Sequence, residues 1–95
     1  VKLAWSTRAV EELRALRRDS VGHWGPTVAS RYLADVRDAA KAVARSPERA
    51  RPLKAPYRLL RVRSHVLILH VDDAADRVTV ARVLHAALDV ERHLP

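Results

Sequence analysis

Apolar residues recur along the chain first at strand spacing, then at helical spacing, and finally at strand spacing again. Val1 to Trp5 sets Leu3 and Trp5 on one side of an extended segment and predicts a short strand. Ser6 or Thr7 can cap the helix that follows, although neither has Glu or Gln three residues on to complete a capping box. Val10, Leu13, Leu16, Ser20 and Trp24 then recur at three- and four-residue steps, while Arg8, Glu12, Arg14, Arg18 and Asp19 fall mostly on other faces. Gly22 and Gly25 flank Trp24 and predict the end of this helix, with Pro26 pre-set for the first turn of another. In that second helix Ala29, Tyr32, Leu33, Val36, Ala39 or Ala40, and Val43 form the apolar stripe, which runs to Arg45 before Ser46-Pro47 stops it. Trp24, Tyr32 and the aliphatic stripes are expected in the core.

Glu48 to Pro56 mixes Pro52 and Pro56 with Arg49, Arg51 and Lys54 and reads as a basic surface connection, too short to separate domains. Beyond it the period becomes two: Tyr57 to Arg63, His65 to Val71 and Val78 to Leu84 predict successive strands, with turns at Arg63-Ser64 and Asp72 to Asp76. The expected fold is α+β, with an N-terminal strand, an antiparallel two-helix hairpin and an antiparallel β-meander, the helices packed on one sheet face, all in one domain over 1–95. Val66 to Val71 is apolar at both parities and needs cover on both sides. One helix pair covers one side, so the other is expected to stay open around Leu67 and Leu69 or around Val66 and Ile68. An open apolar face bordered by arginine would suit an acidic partner.

Composition narrows the classes. The 95 residues carry a formal charge of +7, which favours nucleic acid, an anionic membrane or an acidic protein as partner. The absence of cysteine removes disulfides, thiolate nucleophiles and Cys-ligated zinc. The apolar runs are too short to span a bilayer and no signal-peptide pattern opens the sequence, so a soluble cytoplasmic protein is expected. Asp72, Asp73 and Asp76 lack the glycine and glutamate of a calcium loop, and no His-x-x-x-His pair is present, so neither a metal nor another cofactor is expected.

Arg58, Arg61 and Arg63 crowd the first hairpin, Arg61 and Arg63 on one strand face, and can hold phosphates or carboxylates; a solvated strand edge explains them too. His85 shares the parity of Thr79, Ala81 and Val83, and fits a buried hydrogen-bonded histidine as well as a site residue. His23 beside Trp24 is placed to cap the first helix. Asp89, Arg92 and His93 lie in a C-terminal tail that reads as a frayed end clipped back by Leu94.

The order strand, two helices, meander, with Trp24-Gly25 between the helices, resembles the RelE/ParE superfamily of bacterial toxins. Tyr57-Arg58, Val62-Arg63-Ser64-His65-Val66, and above all Arg82-Val83-Leu84-His85 followed by Asp89, Glu91-Arg92 and His93-Leu94, resemble the ParE branch. Leu69-His70 departs from the pattern, where an aromatic residue is common. The resemblance spans essentially the whole chain. It implies a non-enzymatic toxin of a type II toxin–antitoxin pair that inhibits DNA gyrase and blocks replication. It also implies a ParD-like antitoxin whose acidic tail folds on the toxin in a hetero-oligomer, with DNA reached only through antitoxin or gyrase. Target binding would then fall to Arg58, Arg61, Arg63, His85, Asp89, Arg92 and His93, and antitoxin binding to Leu67, Leu69, Arg61, Arg63 and Arg82. The sister branch, RelE-like toxins, cuts messenger RNA on the ribosome. On that alternative His85, with Arg58, Arg61 and Arg63, would be catalytic, but the sequence sets no tyrosine or second histidine beside His85. A basic nucleic-acid-binding module is the third class, and the few aromatics argue against it.

Overall fold

The computed structural model describes residues 2–88 and 90–94. Strand β1 (Lys2–Trp5) leads into helices α1 (Thr7–Trp24) and α2 (Pro26–Arg45). A 3₁₀ turn (Pro47–Arg49) and strands β2 (Arg51–Pro52), β3 (Tyr57–Val62), β4 (His65–Asp72) and β5 (Arg77–His85) follow, and a second 3₁₀ turn (Val90–His93) forms the tail. The sheet order is β1-β5-β4-β3-β2, antiparallel except for the parallel β1–β5 pair. The α+β arrangement of strand, helical hairpin and meander is therefore as expected. The short edge strand β2 lies inside what reads as a plain connection, and Pro52 sits there because an edge strand can spare one amide donor. Among the described residues no helix is long and apolar enough to cross a membrane.

Local chemistry sets the helix ends. The Ser6 hydroxyl accepts the Ala9 amide at 3.0 Å and donates to the Ala81 carbonyl at 2.8 Å, so one side chain caps α1 and ties it to β5. Gly25 takes a φ of 84°, where a side chain would be strained, which lets α1 end and α2 begin within one residue.

The two helices cover one sheet face. Leu67, Leu69, Val78, Val80 and Val83 pack there under Leu16, Leu33, Val36, Ala40 and Val43. Leu67 and Leu69 are 0% exposed, which corrects their assignment to an antitoxin-binding face: the helices already occupy it. The reverse face is not open either. Val66, Ile68 and Leu84 are buried in a second cluster closed by Tyr57, Leu59, Ala86 and the tail residues Val90 and Leu94. The tail thus supplies the cover that was expected from a partner. Trp24 is also corrected: it is 59% exposed, because α1 runs past the sheet and leaves its last turn in solvent.

One irregularity positions the site. Ile68 pairs with Arg82 but Leu69 with Val80, so Ala81 is an extra residue in β5. Such a bulge inverts the side-chain alternation, which is how Val78, Val80 and Val83 all reach the helix-side core. His85 consequently shares a face with Val83 but not with Thr79 or Ala81.

Candidate functional site

Past the end of β1, strand β5 loses its parallel neighbour, and a carboxylate takes over. Glu12 accepts the Val83 amide at 3.0 Å and the Arg82 guanidinium at 2.9 Å from Nη2 and 3.2 Å from Nε. Arg82 also donates to the His93 carbonyl at 3.1 Å, so one buried cation joins α1, β5 and the tail. Arg82 is therefore enclosed, a correction to its place on an antitoxin-binding surface. The sequence marks Glu12 only as a polar-face residue; nothing local signals its contact with β5.

The arginines of the first hairpin separate. Arg58 faces the helix side and donates to the Ala50 carbonyl at 2.9 Å. Arg61 pairs with Val66 on the reverse side and donates from Nε to the Arg63 carbonyl at 2.8 Å. Arg63 is not on that strand face: it lies in the turn with a φ of 54°, pairs with Asp35 at 2.6 Å, and sets its guanidinium over the Tyr32 ring, 5.5 Å from the centroid. Three arginines adjacent in sequence do not converge on one ligand. In the tail, Arg92 and His93 border a cleft with Ser6, Arg8 and Arg82, while Asp89 lies outside the described residues.

The convergence is elsewhere. The register of β4 and β5 sets His65 opposite His85, with ring centroids 5.4 Å apart and an interplanar angle of 73°. Tyr32 reaches across from α2, its hydroxyl 2.8 Å from His65 Nδ1. The second histidine and the tyrosine that the sequence did not place beside His85 are thus supplied by strand register and helix packing. The rings line a cleft of about 380 Å³ with Leu16, Asp19, Ser20, His23, Trp24 and Ser64. His65 and His85 also line an adjoining cleft of about 220 Å³ with Glu12, Ala15, Val83, Leu84 and Leu88. His85 is exposed rather than buried. His23, as expected, turns back on its own helix, Nδ1 lying 2.8 Å from the Asp19 carbonyl.

The Tyr32 oxygen accepts the Ser64 amide at 3.2 Å and lies 2.8 Å from His65 Nδ1, with the Val62 carbonyl at 3.4 Å as the other group it can donate to. Donation to Nδ1, the shorter contact, leaves the His65 hydrogen on Nε2. His85 Nδ1 accepts the Ala87 amide at 3.1 Å. A neutral imidazole whose Nδ1 accepts carries its hydrogen on Nε2. His85 therefore presents an Nε2–H donor, and so does His65 when Tyr32 donates to its Nδ1. Burial, and after it the neighbouring His85, holds the His65 pKa below its ordinary value, so at neutral pH this ring is uncharged.

With this geometry established, comparison with known proteins is specific. Residues 3–90 match the family described as the ParE toxin of the type II toxin–antitoxin system parDE. The chain belongs to the ParE toxin family. It is 34% identical over 87 residues to Toxin RelE2 of Caulobacter vibrioides, covering 90% of this chain and 96% of that one. The ParE fold recurs in the chromosomal ParDE toxin–antitoxin system from P. aeruginosa, with a TM-score of 0.78 at 20% identity over 90% of this chain and 95% of that one. It recurs also in the isolated E. coli RelE toxin, with a TM-score of 0.64 at 22% identity over 98% of each chain. The chain is accordingly a type II toxin of the RelE/ParE superfamily.

Proposed function

We propose that this ParE-family toxin acts by binding its target, DNA gyrase, so that DNA breaks persist and replication stops, and that a ParD-like antitoxin neutralises it in a hetero-oligomer. The observation that carries the reading is the hydrogen bonding of the two histidines through Nδ1. Cleavage at a ribose 2′-hydroxyl needs a base for that proton and cations for the phosphate. His65 and His85 offer only donors to the cleft, and Arg58, Arg63 and Arg82 are engaged by Ala50, Asp35 and Glu12. What remains is a recognition surface, in which Arg61, Arg63, His85 and Arg92 are exposed and His93 partly so. An antitoxin tail rich in acidic residues suits the +7 charge. The purified toxin is expected to inhibit gyrase supercoiling and accumulate cleaved DNA while leaving translation intact. Messenger cleavage on ribosomes without an effect on gyrase would refute it.

One observation favours a second reading, a RelE-like ribonuclease: His65, His85 and Tyr32 come together in a cleft as an acid–base cluster would. On that reading His85→Ala abolishes ribosome-dependent cleavage while leaving the fold intact.

A further inference from the structure

We infer that the cleft at the turn end of the helical hairpin is a carboxylate-binding site, in which the Nε2–H groups of His65 and His85 together receive an Asp or Glu side chain of an acidic protein partner. His65 and His85 both line the cleft with their ring centroids 5.4 Å apart, and neither Nε2 has an acceptor among the described residues. Their Nδ1 atoms are held by Tyr32 and by the Ala87 amide, so neither ring can turn a lone pair outward without losing a hydrogen bond. Ser20, on the wall of the same cleft, has a buried hydroxyl with no partner. Buried polar atoms in native proteins are overwhelmingly paired, so the Ser20 hydroxyl calls for a partner from outside, and the two histidines on the same cleft bring N–H groups that suit an acceptor.

The surroundings select the class of acceptor. Asp19 is the one carboxylate lining this cleft and His23 stands next to it; Tyr32 is spent on His65. Nearby, Glu12 is neutralised by Arg82 and Asp35 by Arg63. A doubly charged phosphate is opposed by Asp19 more strongly than a singly charged carboxylate is. Trp24 on this cleft and Leu88 on the adjoining one are exposed apolar side chains, so the acidic residue is one flanked by apolar neighbours. The chain's +7 charge draws such a segment in. The inference rests on the antitoxin reading only for who supplies the carboxylate; the chemistry of the site stands apart from it.

The test is a titration of the full-length toxin, with ¹⁵N-labelled histidines, by acetate, phosphate and chloride at pH 6 and pH 8. Acetate should move the Nε2 signals of His65 and His85 together and saturably at both pH values. His85→Phe should weaken acetate roughly tenfold, the loss of one charge-assisted hydrogen bond, and His85→Gln, which keeps an N–H donor, should weaken it less. Shifts no larger than with chloride, or equal shifts at His23, His70 and His93, would overturn the site. Preference for phosphate over acetate would overturn the carboxylate assignment. No gyrase or antitoxin enters this titration, so its failure is distinct from failure of the target reading.

Discussion

The two faces of the sheet are closed in different ways. On one, α1 and α2 lay a continuous layer over Leu67, Leu69, Val78 and Val80, each helix satisfying its own backbone while burying a stripe. On the other, Val66, Ile68 and Leu84 are sealed by Tyr57, Leu59, a single 3₁₀ turn that begins at Val90, and Leu94 just after it, held in part by the bond from Arg82 to the His93 carbonyl. A strand that is apolar on both sides obliges the chain to cover both, yet the same burial can rest on a thick layer or a thin one. The difference should appear as unequal sensitivity to mutation.

The largest effect is expected on the thick side. Leu67→Ala, which empties a fully buried position, should cost about 3 kcal/mol in denaturant unfolding, whereas Leu94→Ala, at the edge of the thin side, should cost under about 1 kcal/mol. Equal losses would erase the distinction. Next comes Glu12→Ala, which strands the Arg82 guanidinium and the Val83 amide; about 2 kcal/mol is expected, the carboxylate being partly exposed. Faster amide exchange in residues 90–94 should accompany it, and an unchanged tail would separate Arg82 from tail anchoring.

A smaller effect is set by pH. The folded state holds the His65 pKa below that of the unfolded chain, so the unfolded state takes up a proton first. Stability is then unaffected above the unfolded value near pH 6.5 and falls as the pH drops below it, levelling off once the folded ring is protonated. Urea midpoints measured across this range should fall with acid, and His85→Gln should shallow the slope by removing the second cause of the shift. Smallest of all, Trp24→Ala should change stability by no more than about 0.5 kcal/mol, because its ring is mostly in solvent. A loss of several kcal/mol would return Trp24 to the core.

Elements governed by local chemistry were legible in the sequence. The Ser6 cap, the Gly25-Pro26 junction, the stripe from Ala29 to Val43 and the turn after Asp72 depend on neighbours a few residues away, and each is found where the pattern puts it. The site depends on contacts across tens of residues and was not. Tyr32 meets His65 only because α2 crosses the β3–β4 turn, and His65 meets His85 only through strand register. The bulge at Ala81 did leave a trace, since the apolar positions pass from Val78 and Val80 to Val83 and break a strict alternation. Reading that break as an insertion would have moved His85 to the correct face. The tail's covering role was masked by composition: Val90 and Leu94 stand among charged residues and look like a loose end until Ile68 is seen beneath them.

The account turns on what the histidine pair shows to the cleft, and a long-range ¹H–¹⁵N ring spectrum of the intact toxin at pH 7.5 reads it directly. Hydrogens on Nε2 of both His65 and His85 are predicted, leaving no base there and supporting recognition over catalysis. A hydrogen on Nδ1 of either ring would return a lone pair to the cleft and contradict the account.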